Sequence, residues 1–264
     1  MTAPLDLLGA PQLHLDVAAD RPNGFVAATL SEVLPDGSAT RLTYGLLNLT
    51  HRDGHVDLKP VEPGKRYQVA IRMNDCGQRI GVGNRLRLAL STAYWPIVWP
   101  SPEPVTLTIA TGASHLDLPV RPERRQDAEL RPFEPAENAP ALRKTSLRQG
   151  TSAFTITRDL KSGEVDMVRL QDDGLTQVDA FNWTYGVRAE RTYRIDPENP
   201  LSAKAETTWR KEYRRGDFHI AIETHTAMSV TRTELVLTGK LVAREGDDVP
   251  FSREWSYRIP RDHL

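Results

Sequence analysis

Histidines and carboxylates lie close together at two places in this sequence, and these are the side chains that bind metal ions or transfer protons. The first place is the segment His51-Arg52-Asp53-Gly54-His55. Zinc usually needs three or four fixed protein ligands, and Gly54 predicts a mobile loop. We therefore interpret the segment as a polar loop that follows a strand, with a metal site as the alternative.

The second place is a single predicted strand, on which His219, Glu223 and His225 share one polar face. At about 3.3 Å per residue, Glu223 and His225 lie roughly 7 Å apart, and His219 is farther away. One strand cannot surround a metal ion, so a neighbouring strand would have to supply further ligands. We interpret the group as a solvated face, with a metal or acid–base site as the alternative. No metal or cofactor is predicted.

Nucleophilic catalysis requires a serine or cysteine with an adjacent base, and for acyl transfer an oxyanion hole. No pattern around Ser91 or Ser101 indicates either, and the pentapeptide G-x-S-x-G of a nucleophile elbow does not occur. The neighbouring carboxylate of Asp75 should raise the pKa of the only cysteine, Cys76, which argues against a reactive thiolate. We predict no catalytic residue in this chain.

A proline-rich segment after a predicted strand, Tyr94 to Pro102, contains three large aromatic side chains and three prolines. Proline stiffens the backbone, so the aromatic rings would be presented at little cost in entropy. Either the two tryptophans cover the hydrophobic core, or the segment forms a docking surface or a platform for sugar stacking. We select Tyr94, Trp95 and Trp99 as the candidate interface or ligand surface.

The elements that position these residues are predicted to be strands. Apolar residues alternate with polar ones from Leu13 to Val17, from Tyr67 to Met73 and from Arg85 to Leu90, which is the period of a half-buried strand. Turn sequences such as Pro35-Asp36-Gly37 separate these runs. No segment shows a helical period over a dozen residues. The pattern predicts an all-β protein that begins with a β-sandwich.

The character of the sequence changes between Arg121 and Thr145, where prolines punctuate a charged stretch. We predict a sandwich over residues 1–122, a connector over 123–146 and a second, antiparallel β-meander over 147–264. In the second domain we expect turns at Gly163, Gly174 and Gly216. We expect its buried face to include the following five residues: Phe218, Ile220, Ile222, Trp255 and Tyr257.

Composition excludes several classes of function. The formal net charge of the 264 residues is −1, so no global field attracts nucleic acid or an anionic membrane. No apolar run approaches the roughly 18 residues that span a bilayer. The N-terminal residues lack the features of a signal peptide, and one cysteine cannot form an intrachain disulfide, which favours the cytoplasm.

Several short segments of the N-terminal half occur in the same order as in a known protein family. They are Asp20-Arg21-Pro22, Val33-Leu34-Pro35-Asp36-Gly37, Gly45 to Arg52, Pro63 to Tyr67, Gly83 to Leu88 and Ser91 to Pro96. Together they resemble the jelly-roll, galactose-binding-like C-terminal domain of the CocE/NonD and X-Pro dipeptidyl-peptidase hydrolases. The second domain resembles an extension found in one branch of that group, through Pro200 to Ala203, Arg215 to Phe218 and Ile259 to Asp262. Asn84 departs from the family pattern, which more often has histidine there.

The resemblance implies an accessory region without the catalytic α/β-hydrolase domain that carries the serine nucleophile in these enzymes. We expect the chain to pack against such a domain, encoded on the same or a neighbouring gene, or to self-associate. No nucleic-acid or membrane partner is expected. The alternative is a β-sandwich that binds a carbohydrate or another small ligand on its own.

Overall fold

The computed structural model describes residues 1–263, which form antiparallel β-strands joined by turns and by short 3-10 helices. The chain divides into two compact units, Met1–Pro135 and Ala136–Asp262. Within the described residues, no helix is long and apolar enough to cross a membrane. The predicted fold class, an all-β sandwich followed by an antiparallel meander, is confirmed.

The first unit contains nine strands in three sheets. They are β1 (Leu5–Gly9), β2 (Gln12–Ala19), β3 (Phe25–Val33), β4 (Ala39–Asn48), β5 (Tyr67–Arg72), β6 (Cys76–Ile80), β7 (Arg85–Ser91), β8 (Leu107–Ile109) and β9 (His115–Asp117). Strand β2 pairs with β5 on one edge, and β8 and β9 both pair with its other edge. The second sheet has the order β4-β3-β7, and β1 pairs with β6.

The core of the first unit lies between the β2 and β3 sheets. Leu13, Leu15 and Val17 of β2 are buried in the same cluster as Val26 and Leu30 of β3. Because side chains alternate along a strand, each sheet gives one apolar face to this core and turns the other outward. The predicted alternation from Leu13 to Val17 is therefore seen directly.

The second unit is one eight-stranded antiparallel sheet. Its strands are β10 (Lys144–Arg148), β11 (Thr151–Arg158), β12 (Val165–Val178), β13 (Trp183–Asp196), β14 (Asn199–Arg215), β15 (Phe218–Val230), β16 (Glu234–Glu245) and β17 (Asp248–Pro260). Both β10 and β11 pair with β12, and each later strand pairs with the next one along the chain. Tight turns at Gly163 and Gly216, both with positive φ, connect successive strands.

Two expectations for the second unit are wrong. Gly174 is not a turn but lies within β12, at a bulge where the register shifts between Asp172 and Leu175. The five residues expected on a buried face do share one face, but Phe218 and Tyr257 are 43% and 57% exposed. The alternation of side chains sets which face a residue occupies. Burial of a large aromatic side chain also requires a second layer, and the single sheet of the second unit provides none.

Candidate functional site

The apolar face of the second unit is a broad surface that could hold a partner. One row of directly opposed residues crosses the whole sheet, from β11 to β17: Ile156, Met167, Tyr193, Ala205, Met228, Leu237 and Tyr257. Opposed residues of antiparallel strands point to the same face, so this row is a continuous apolar stripe. We call this side of the sheet the aromatic face. Trp209, Ile222 and Trp255 lie on it in neighbouring rows.

Three cations of the aromatic face lie over aromatic rings instead of beside carboxylates. The guanidinium of Arg191 is 5.0 Å from the ring centre of Trp209, and the ammonium of Lys211 is 5.8 Å from the same centre. Arg253 lies 5.2 Å from the ring centre of Trp255. Among residues 1–263 these three cations form no ion pair. They are held by the aromatic π-systems and remain available to an anion.

The opposite side of the sheet, the charged face, has the reverse character, because most of its cations are paired with carboxylates. These pairs are Arg188–Glu190, Arg194–Asp166, Lys204–Glu206, Arg210–Glu223, Lys240–Glu254 and Arg258–Glu234. Exposed pairs of this kind add little to stability, but they keep the face hydrated. The sheet therefore has one face that favours hydration and one that favours contact with another protein surface.

The three residues selected from the sequence lie together in the first unit, in the loop after β7. The rings of Trp95 and Trp99 meet edge to face with their centres 5.1 Å apart. The hydroxyl of Tyr94 accepts a hydrogen bond from Nη1 of Arg41 at 2.5 Å, and its ring lies 5.4 Å from that of Tyr44. All three selected side chains are half-buried, so the loop contributes to the sandwich and also presents apolar surface.

The first histidine segment forms a pair of imidazoles but no complete metal site. Nδ1 of His51 and Nδ1 of His55 are 2.9 Å apart. The carboxylate of Asp53 turns to other partners, with Oδ2 lying 3.8 Å from both Nε of Arg52 and Nζ of Lys59. This arrangement agrees with a polar loop whose acidic group is already occupied by cations.

The second histidine group does not converge either. Glu223 pairs with Arg210 on β14 instead of with His225. Nε2 of His219 lies 4.0 Å from a carboxylate oxygen of Glu212. The three predicted residues do share one face, as their spacing requires, but the carboxylate of Glu223 is engaged in a cross-strand ion pair with Arg210.

The candidate nucleophiles have no catalytic surroundings. Oγ of Ser91 accepts a hydrogen bond from the backbone amide of Ala93, and Ser101 is buried. Neither hydroxyl is hydrogen-bonded to a histidine within residues 1–263. Burial raises the pKa of the Cys76 thiol, and the carboxylate of Asp75 raises it further. The expected direction of that pKa shift is confirmed.

The sequence analysis missed a third group, formed by His14, His115 and Asp117. One ligand atom of each residue lies within 4.8 Å of those of the other two. The spacing of His115 and Asp117 could have been used, because residues two apart on one strand point to the same face. Their proximity to His14 could not have been predicted, since it depends on the pairing of β2 with β9 across about a hundred residues.

A comparison with protein families matches residues 1–144 to the "X-Pro dipeptidyl-peptidase C-terminal non-catalytic domain". The chain belongs to this family. The match covers the whole first unit and ends at the first residue of β10, so the single-layer sheet lies outside it. The resemblance to this family, which was inferred from short sequence segments, is thereby confirmed.

Among known proteins, this member of the family is 28% identical over 96 residues to cocaine esterase from Rhodococcus sp. (strain MB1 Bresler). That alignment covers 36% of this chain and 17% of the esterase, so the chain spans about a sixth of its relative. Solved structures with similarity include an aminopeptidase from a marine sediment archaeon, Thaumarchaeota archaeon, with 15% identity and a TM-score of 0.43. An alpha-amino acid ester hydrolase has 18% identity and the same TM-score. Each covers 46% of this chain and is itself covered to 24%.

Proposed function

We propose that this chain is a non-catalytic accessory region of a serine hydrolase of the X-Pro dipeptidyl-peptidase or CocE/NonD type. In this proposal it packs against a catalytic α/β-hydrolase domain in the cytoplasm and helps to form the wall of its active-site cleft. Family membership supports the accessory role. The aromatic face of the second unit carries the proposal of packing, because a sheet with one apolar face is stable when another layer covers that face.

The aromatic face is large enough for a stable interface. Seven strands lie side by side at about 4.8 Å spacing, and strands of 12–14 residues run most of its length, so the face measures roughly 30 by 40 Å. Its area of about 1,200 Å² exceeds the roughly 800 Å² that each partner contributes to a standard interface. A partner that covered only part of the face would still form a specific complex.

The composition of the face is that of an interface centre. Tryptophan, tyrosine, methionine and arginine are enriched at such centres, and carboxylates are depleted. Trp209, Trp255 and Met228 supply apolar area, and Arg191 and Arg253 lie above the two indoles. The charged face has the opposite composition, so the aromatic face is the side of the sheet that suits a protein contact.

The charges favour a different protein over a second copy of this chain. In a symmetric face-to-face dimer, the unpaired cations of one aromatic face would oppose those of the other. Juxtaposed like charges disfavour association, whereas an apolar surface that carries carboxylates would be complementary. We therefore commit to the α/β-hydrolase domain as the occupant, with a carboxylate-bearing apolar surface at the contact.

A matched pair of variants on one strand tests this proposal. Leu237 and Val236 are neighbours on β16, both half-buried, and they point to the aromatic and the charged face respectively. We expect the wild-type chain to bind the α/β-hydrolase domain encoded on the same or neighbouring gene in sedimentation experiments. Leu237→Asp should weaken binding by at least about a hundredfold, because a carboxylate would be buried in an apolar contact. Val236→Asp should bind as the wild type does.

The measurement separates packing from folding. Circular dichroism and melting temperature of both variants show whether either substitution unfolds the sheet. Equal binding by folded Leu237→Asp, or self-association of the wild type through this face, would overturn the assigned partner. The absence of any hydrolase domain encoded nearby, together with a stable monomer, would overturn the accessory function itself.

A further inference from the structure

The first unit contains a cluster of metal-ligating side chains that the accessory function does not use. His14 lies on β2 directly opposite His115 on β9. Asp117 follows two residues later on β9, opposite Gln12, so its side chain points to the same face as the two imidazoles. The two strands come from distant parts of the chain and are fixed relative to each other by their hydrogen-bonded ladder.

The three side chains already approach one another closely. The imidazoles of His14 and His115 are stacked, with centres 4.6 Å apart and planes inclined by 9°. Nε2 of His14 lies 3.3 Å from Oδ2 of Asp117, and Nε2 of His115 lies 3.9 Å from Oδ1 of the same carboxylate. One ligand atom from each residue can be chosen so that all three lie within 4.8 Å of one another.

Two imidazoles and one carboxylate form a ligand set suited to zinc and related divalent ions. Around a tetrahedral ion with bonds of about 2.0–2.1 Å, ligand atoms lie roughly 3.4 Å apart. The observed distances therefore need a contraction of no more than about 1.4 Å. His115 and Asp117 are exposed, so their side chains can turn to close the gap while the strands stay in place. The stacked rings must tilt so that both nitrogen lone pairs point to one ion.

The surroundings leave room for the remaining coordination positions. A cavity of about 370 Å³ adjoins the cluster and is lined by His14, Gln68, Ala113 and His115, among others. Three protein ligands leave at least one position for water or an added ligand. Because two of the three side chains are exposed, the site would exchange its ion with solvent instead of trapping it in the core.

We propose that His14, His115 and Asp117 form a binding site for a divalent transition-metal ion of the zinc type on the outer face of the first unit. The site lies on the side of β2 that faces away from the sandwich core. All three ligand residues belong to the first unit, Met1–Pro135.

Titration of the tag-free, full-length chain with Co²⁺, followed by competition with Zn²⁺, tests the site. We expect one Co²⁺ per chain, visible absorption bands of a low-coordinate ion, and displacement by Zn²⁺. His115→Gln and Asp117→Asn should each weaken binding at least about tenfold, since loss of even a hydrogen-bond partner of a ligand typically costs 10–100-fold.

The other imidazole pair provides the matched control. His51 and His55 are also adjacent and lie in the same unit, so His55→Gln removes an imidazole that should not matter. Circular dichroism confirms that each variant is folded. Loss of Co²⁺ binding in His55→Gln but not in His115→Gln would overturn the assignment, as would failure of the wild-type chain to bind Co²⁺ or Zn²⁺ at all.

Discussion

The guanidinium of Arg148 donates two parallel hydrogen bonds to the carboxylate of Asp172, from Nη1 to Oδ2 at 2.8 Å and from Nη2 to Oδ1 at 2.9 Å. The Asp172 side chain is only 3% exposed, whereas that of Arg148 is 54% exposed. The backbone amide of Gly174 donates a third hydrogen bond to Oδ1 at 2.9 Å. This pair joins β10 to the bulge of β12, where β10 and β11 meet end to end along one edge.

Replacing the buried carboxylate should destabilise this corner of the sheet. We expect Asp172→Asn to lower the free energy of unfolding by about 2 kcal/mol, because the arginine loses its charged partner. The matched variant Asp166→Asn removes a carboxylate that pairs with Arg194 at a more exposed position, so its effect should be smaller. Urea denaturation of both variants gives the two values, and equal values would contradict the role assigned to burial.

The same pair makes stability depend on pH. Hydrogen bonds from Arg148 hold the pKa of Asp172 below its ordinary value. The stabilisation is therefore fully present above the unfolded-state pKa, near 3.9, and is lost as the pH falls through the lower folded-state pKa. The difference in unfolding free energy between wild type and Asp172→Asn should be constant near neutrality and shrink below about pH 4. A difference that grew on acidification would contradict this sign.

Gly174 permits the close approach of two backbone segments at this corner. Its φ is +76°, and a Cβ there would lie 2.3 Å from the carbonyl oxygen of Arg148 and 2.7 Å from the amide nitrogen of Gly150. Backbone atoms cannot move away as a flexible side chain can. We expect Gly174→Ala to destabilise the second unit by more than about 3 kcal/mol, from positive φ and steric overlap together.

A substitution at Gly163 measures the effect of positive φ without the steric overlap. Its φ of +81° is similar, but a Cβ there would meet nothing within 4 Å. Gly163→Ala should therefore cost only the conformational term, about 1–2 kcal/mol. Thermal unfolding of the two variants measures the difference, which should be at least about 1 kcal/mol if the close contact matters. Equal melting temperatures would show that the bulge relaxes to accept a methyl group.

Local alternation of residues predicted the strands and their faces, but not what covers those faces. The run from Phe218 to Val230 is a strand with the expected apolar side, yet Phe218 is exposed because no second layer lies over it within the second unit. Alternation predicts which side of a strand is apolar. It carries no information on whether another layer covers that side. The position of Gly174 inside a strand escaped prediction for a related reason, since a bulge depends on the neighbouring strand.

The candidate sites show the same difference between local features, which the sequence predicts, and contacts between strands, which it does not. The spacing of His219, Glu223 and His225 correctly placed them on one face, but the partner of Glu223 is Arg210 on another strand. His14 and His115 come together only through the pairing of β2 with β9. A single sequence contains no signal for that pairing. Local chemistry was therefore predictable at each position, whereas the convergence of side chains from distant strands required the structure.

The isolated chain should not hydrolyse esters or Xaa-Pro amides above background. Neither Ser91 nor Ser101 has a histidine as hydrogen-bond partner among the described residues, and the Cys76 thiol has a raised pKa. Without an activated nucleophile there is no acyl-enzyme route. Turnover of p-nitrophenyl acetate and of an Xaa-Pro anilide measures this directly. Activity that survived repurification and vanished in Ser91→Ala or Ser101→Ala would contradict the accessory role.

The aromatic loop of the first unit provides the last prediction. We expect Tyr94, Trp95 and Trp99 to contribute a second apolar contact to the catalytic domain. The two indoles meet edge to face, the nearby side chain of Ile97 is 52% exposed, and the loop is stiffened by prolines. Half-buried tryptophans on a stiff loop lose little side-chain entropy on binding, which is why such residues anchor interfaces. Trp95→Ala with Trp99→Ala should therefore weaken association by at least about tenfold.

One double variant distinguishes a contact surface from a covering of the core. If the indoles serve mainly to contact a partner, the melting temperature should fall only modestly while sedimentation shows weaker association with the α/β-hydrolase domain. If they belong to the sandwich core, their removal should cost several kcal/mol, about 3–5 for a fully buried tryptophan. Arg41→Ala, which removes the hydrogen bond to Tyr94 and leaves both indoles in place, serves as the control. A large loss of stability in the double variant with unchanged association would refute the contact, because the indoles would then act inside the fold alone.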